Sequence, residues 1–168
     1  MPEHSDLLPE RSLETPQDAV TAAVELIASA RRSLCVFCPL LPPVLFNATE
    51  FNDILRHQLL QEPRLHSFML APPAKNWRQA CPQLTQLVER LSSLELRTPP
   101  ADELTDRKES SQIFLIADKK AVMLLTDPRR CVGLFNAAAE LEARKLLDFF
   151  NPLWEKSQTD TELRRLGI

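Results

Sequence analysis

Glycine is nearly missing from this chain: only Gly133 and Gly167 occur in 168 residues, where average usage would give about a dozen. A Walker A loop or a dinucleotide-binding G-x-G-x-x-G needs several glycines for tight turns and close backbone approach to phosphate, so neither can be written. ATPase, GTPase and Rossmann chemistry fall together. Positive charge is not in excess either, since 20 basic residues face 23 acidic ones for a net charge of −3. No global field therefore draws the protein to phosphate backbones or anionic lipid. No apolar run approaches the roughly 20 residues that cross a bilayer, and Met1-Pro-Glu-His-Ser-Asp6 lacks the basic and apolar regions of a signal peptide. The expected compartment is the cytoplasm, with no membrane partner, where four cysteines read as reduced thiols.

Metal and redox patterns are also absent. His4, His57 and His66 are scattered with no H-E-x-x-H pairing, and His66 shares a strand face with Phe68 and Leu70 as a core or edge histidine. Cys35-Val-Phe-Cys38 has C-x2-C spacing, but inside a strand residues three apart point to opposite faces, whereas zinc needs convergent ligands and a second pair. Cys81 and Cys131 stand alone, and all four thiols read as buried packing. No metal and no cofactor is expected.

What is present is a core: 44% hydrophobic residues suffice for one domain without disulfide or metal staples. Residues 1–14 read as a flexible leader or a surface arm, 15–158 as a single α/β domain, and 159–168 as a fraying polar tail. Thr15-Pro16-Gln17-Asp18 supplies an N-cap, a proline at the first helical position and an acid at the third, opening a helix to about Arg32. The apolar run Ser33 to Pro39 follows as a buried strand. A helix capped by Thr49 and carrying Phe51, Ile54, Leu55 and Leu59 leads to the strand Leu65–Ala71. A third helix from Trp77 to Leu91, with Pro82 as a break, leads to the strand Leu94–Thr98. An exposed linker, 101–110, then precedes a hairpin of Gln112–Ala117 and Ala121–Thr126, turned tightly at Asp118-Lys119-Lys120 without glycine. Cys131–Phe135 adds a strand, and a last helix stripes Ala143, Leu146, Leu147 and Phe150, with Asn151-Pro152 as a kink or a new turn. Alternating β and α units ending in a hairpin predict an α/β fold, a mixed sheet with helices on both faces.

The opening helix and strand from Ala19 to Pro39, the Phe114-Leu-Ile-Ala-Asp118 hairpin and the closing Phe149-Phe150-Asn151-Pro152-Leu153-Trp154-Glu155-Lys156-Ser157 resemble one half of the phospholipase D superfamily. The likeness covers about Pro16 to Ser157 and is to a short bacterial branch of catalytically degenerate domains. The family's signature, His-x-Lys-x4-Asp, implies a histidine that attacks phosphorus, a lysine that holds phosphate oxygens and an aspartate that orients a histidine across the site. Aligned on Asp118, the histidine position holds Ser111 and the lysine position Ile113; the following glycine and serine become Leu125 and Thr126, and the asparagine becomes Arg129. Phosphodiesterase chemistry is therefore not expected, since a serine hydroxyl needs a neighbouring base that is not identifiable here. Asp118 reads more strongly as a turn residue than as a site residue.

Two readings follow. The first is a non-catalytic interaction or accessory module, self-associating as a homodimer or covering its exposed face with a partner protein, because enzymatic relatives assemble two such halves face to face. Relatives of this look accompany acetyltransferase domains, which makes such an enzyme a candidate partner, although no acetyl-CoA loop occurs in this chain. The second is a small-ligand or nucleic-acid-sensing module using a degenerate cleft of Ser111, Asp118, Thr126, Arg129 and Asn136. The arginine pairs at 31–32, 129–130 and 164–165 lie at element ends without aromatic interleaving, which disfavours nucleic acid. A third reading is an enzyme of unrelated chemistry in the same cleft, for which Asn136 and Glu140 are the extra polar candidates; an N-cap role at the last helix explains Asn136 equally well.

Overall fold

A computed structural model describes residues 10–160 and Leu163. Eight strands form one sheet in the order β1-β7-β6-β5-β2-β3-β4-β8: β1 Arg11–Leu13, β2 Ser33–Phe37, β3 His66–Leu70, β4 Leu94–Thr98, β5 Ile113–Ala117, β6 Ala121–Asp127, β7 Val132–Asn136 and β8 Gln158–Thr159. β2, β3 and β4 run parallel, and every other pairing is antiparallel. The helices are α1 Pro16–Ser29, α2 Pro43–Phe46, α3 Thr49–Gln61, α4 Pro82–Arg90 and α5 Glu140–Lys156. None of them is long and apolar enough to cross a membrane.

Strand alternation divides the core in two. Leu34, Val36, Met69, Leu94, Leu96, Ile113, Leu115 and Met123 point to the side of α1, α3 and α4, while Cys35, Phe37, Leu70, Phe114, Ile116 and Val122 point to α5. Helices thus cover both faces of a mixed sheet. The reciprocal box that opens α1 is present: Asp18 N–H donates to Thr15 Oγ1 at 3.1 Å and Thr15 N–H to the Asp18 carboxylate at 3.2 Å. The buried Gln58 amide of α3 donates to the carbonyls of Ala28 and Ala30, satisfying groups at the end of α1.

Several boundaries differ from the sequence reading. The leader is not wholly free: Arg11–Leu13 pairs antiparallel with β7, Leu13 is buried, and residues 1–9 lie outside the described residues. In the tail, Gln158–Thr159 pairs with β4 and Leu163 is buried; its other residues past 160, Arg164-Arg165 included, lie outside the described residues. Helix α1 stops at Ser29, and Ala48 rather than Thr49 caps α3. Pro82 starts α4 instead of breaking it, because a proline at the first helical position gives up no intrahelical bond. Pro152 lies inside a continuous α5. Gly133 is required where it stands, since a Cβ there would come 1.9 Å from the Leu124 carbonyl oxygen.

Candidate functional site

The parallel strands end at Phe37, Leu70 and Thr98 on one edge of the sheet, and antiparallel β5 starts at that edge, with Phe114 opposite Phe37. In open α/β sheets this carboxyl edge is where ligands bind. Ser111 ends a short 3-10 turn, Lys108–Ser111, ahead of β5 and is exposed; its hydroxyl donates to the Lys108 carbonyl at 3.0 Å. Ile113 points into the α1-side core with 0% exposure. Thr126 lies at a bulge in β6, and Arg129 in the turn between β6 and β7; both are exposed at this same edge. The turn closes with Cys131 in the left-handed region at φ 58, its thiol 3.7 Å from the Pro128 carbonyl.

Asp118 and Asn136 are elsewhere. Asp118 lies seven positions after Ser111 along mostly extended chain, about 20 Å at strand rise, so they occupy opposite edges of the sheet. The Asp118 carboxylate accepts from the backbone N–H of Arg31 at 2.9 Å, Arg32 at 2.8 Å and Ser33 at 3.0 Å, while its own N–H donates to the Ser33 carbonyl at 2.9 Å. Its side chain therefore joins the end of α1 and the start of β2 to the β5–β6 turn. Asn136 lies across from Val122 at that same far edge and accepts from Ala138 N–H at 2.9 Å; Ala139, not Asn136, caps α5, and the exposed Glu140 is the first residue of that helix. The expected cleft of five residues is thus two groups: Ser111, Thr126 and Arg129 at one edge, Asp118 and Asn136 at the other.

Beside the carboxyl edge, between β2, β3 and β4, lies a cavity of about 200 Å³ walled by Phe37, Leu70, Pro72, Pro99 and Leu104 with Thr98 among them. None of the residues lining it carries a charge. Arg107, in the neighbouring linker, lays its guanidinium over the Phe149 ring at 4.8 Å. The linker read as an exposed loop therefore packs on α5, and Lys156 meets Glu103 at 3.2 Å to hold it there.

Cys35 and Cys38 fall on opposite faces of the sheet, as strand alternation requires. Burial pushes the Cys35 thiol up to about 12, with the Lys119 charge opposing, and lifts Cys38 well above its ordinary value with nearby Cys81 adding to the rise. Cys38 and Cys81 are neighbours in the fold, which their sequence separation concealed. The His66 ring lies tilted against Phe68 with centroids 4.6 Å apart and places Nε2 3.5 Å from Glu95, on the strand face expected for it. Among the described residues no three metal-ligating side chains converge.

This strand order, with parallel β2–β4 continued by an antiparallel hairpin and one long helix closing the second face, defines a phospholipase D-like α/β domain. Solved structures with the same fold include NucT from Helicobacter pylori, with a TM-score of 0.64 and 12% identity over 90% of this chain and 98% of that one. Nuc from Salmonella typhimurium, a phospholipase D family member, is similar with a TM-score of 0.56 and 13% identity over 90% and 96%. TrmBL2, an archaeal chromatin protein whose structure shows a novel mode of DNA binding, has a TM-score of 0.61 and 13% identity over 89% of this chain; the chain spans about half of its length, 54%. Nothing matches among curated proteins. A family model described as a domain of unknown function, DUF7931, matches residues 15–166, and the chain belongs to that family.

Proposed function

We propose that this domain is a non-catalytic phospholipase D-like module that works by binding, in the first instance to a second copy of itself. One observation carries the non-catalytic reading. At the edge where the family's attacking histidine and phosphate-holding lysine belong, Ser111 spends its hydroxyl on the Lys108 carbonyl and Ile113 is sealed in the core. A nucleophile needs a base in reach, and Ile113 brings no charge to the position that holds phosphate in the family. Supporting self-association, α5 leaves the β6–β7–β1 side of its face thinly covered: Leu134, beside Leu124, and Val132 are part-exposed there, and Leu141 is 63% exposed at the start of α5. A partner protein, an acetyltransferase among the candidates, is the other occupant this face would accept. DNA binding, as in TrmBL2, is the second reading, against which the net charge of −3 weighs.

The test is an assay of the purified chain with bis(p-nitrophenyl) phosphate and single-stranded DNA, beside light scattering over a concentration series. The expected result is hydrolysis at background, equal in wild type and Ser111→Ala, with a dimer that Leu134→Glu converts to monomer. Turnover that Ser111→Ala abolishes overturns the non-catalytic reading. A monomer at every concentration overturns self-association.

A further inference from the structure

The α5 side of the sheet holds a second cavity, of about 210 Å³, at the edge opposite the family's catalytic one. Cys35 and Ile116 form its floor, Phe68 one side, and Leu147, Phe150 and Trp154 of α5 its roof. Trp154 stacks on Phe150 with centroids 6.0 Å apart and meets Phe68 edge-on at 5.3 Å, so the walls already display the ring geometries aromatic groups prefer. An apolar cavity of about 150 Å³ admits benzene, and this one admits a single ring with a small substituent.

Three polar side chains stand at its mouth: Ser33, Lys119 and Asn151. None makes a side-chain hydrogen bond or ion pair within the described residues. All three can donate, and one is a cation, a set that complements an anion rather than a neutral hydrocarbon. Lys119 is held in place by the backbone, at φ 59 in the β5–β6 turn, beside Asp118 at φ 53. Such turns favour glycine or asparagine there, and a lysine in that conformation carries strain. The neighbouring Asp118 carboxylate is occupied by the N–H groups of Arg31, Arg32 and Ser33, which leaves the ammonium without a carboxylate partner. Lys119 lines the same cavity as Cys35.

We propose that this cavity binds a small aromatic carboxylate, its ring among Phe68, Phe150 and Trp154 and its carboxylate on Lys119, with Asn151 and Ser33 as further donors. The buried thiol of Cys35 serves as an apolar wall. This assignment does not rest on the non-catalytic reading: phosphodiesterase activity at the opposite edge would leave it standing.

The experiment is a titration of the full chain with sodium benzoate, followed by the two tryptophan indole N–H signals in nitrogen-correlated NMR spectra. Trp77, whose indole donates to the Pro72 carbonyl at 2.9 Å and which packs in the α1-side core, is the internal control. Saturable shifts of Trp154 with Trp77 unmoved are expected. Lys119→Met, a substitution at an exposed side chain whose folding circular dichroism verifies, should raise the benzoate Kd about tenfold, the worth of one charge-assisted hydrogen bond. Neutral benzamide should bind wild type about tenfold more weakly than benzoate, for the same lost contact. No saturable Trp154 response up to the solubility of benzoate overturns the site. Equal benzoate affinity in wild type and Lys119→Met, or equal affinity for benzoate and benzamide, overturns the carboxylate assignment.

Discussion

The carboxylate of Asp118 accepts from three successive backbone N–H groups at the junction of α1 and β2, groups that the end of a helix and the start of a strand would otherwise leave to water. Replacing it with alanine should destabilise the fold by about 2–3 kcal/mol, the scale of hydrogen bonds to a charged group, read as a lower urea midpoint. An unchanged midpoint would show that water replaces the carboxylate without loss. In sequence, Asp118 sits seven positions after Ser111, and that spacing invites a single cleft; its preference for turns, also readable there, agrees with its place at φ 53 in the β5–β6 turn. What the spacing could not convey is that extended residues between them carry the two ends to opposite edges of the sheet. Lys119 was equally hidden as a site residue, although a tight turn lacking glycine already marked it as a residue in an uncommon conformation.

Among the described residues, α5 is the single long helix on its face, so that half of the core depends on it. The stripe Ala143, Leu146, Leu147 and Phe150, legible from 3.6-residue spacing, is buried throughout, and Phe150 meets both Phe114 and Trp154. Phe150→Ala should cost about 3–5 kcal/mol, with a lower Tm and loss of cooperativity as its readouts. A cost below about 1 kcal/mol would mean that the face repacks, against the usual price of such cavities. Pro152 interrupts this helix in sequence but not in space, because it and Asp148, whose carbonyl loses its donor, are on the exposed side where water can replace the bond. Helix α2 and the 3-10 turns escaped periodicity because segments of three or four residues are shorter than one period of evidence. Strands β1 and β8 escaped for a different reason: two or three polar or mixed residues form a strand only where a neighbouring edge is waiting.

At the scale of the whole molecule, all four cysteines are buried and their thiols raised, Cys35 to about 12 and Cys81 to about 11 from an ordinary 9.0, with burial the first cause in each. Because the unfolded chain loses these protons first, their contribution is fully present below pH 9 and is lost as pH rises toward 12. Tm should therefore fall steadily over that range, and a thiol reagent at pH 8 should label the protein only after denaturant unfolds it; a flat Tm, or prompt labelling of the native chain, would contradict this burial. The sequence by itself determined the fold class and the two-sided core, because periodicity is a local property that survives without coordinates. Tertiary structure alone decided the strand order, the separation of Asp118 and Asn136 from Ser111, and the cavity that gathers Ser33, Phe68, Lys119 and Trp154. Those relations depend on which strands pair and in what direction, a choice set by how side chains from distant segments are buried together and not by local preference.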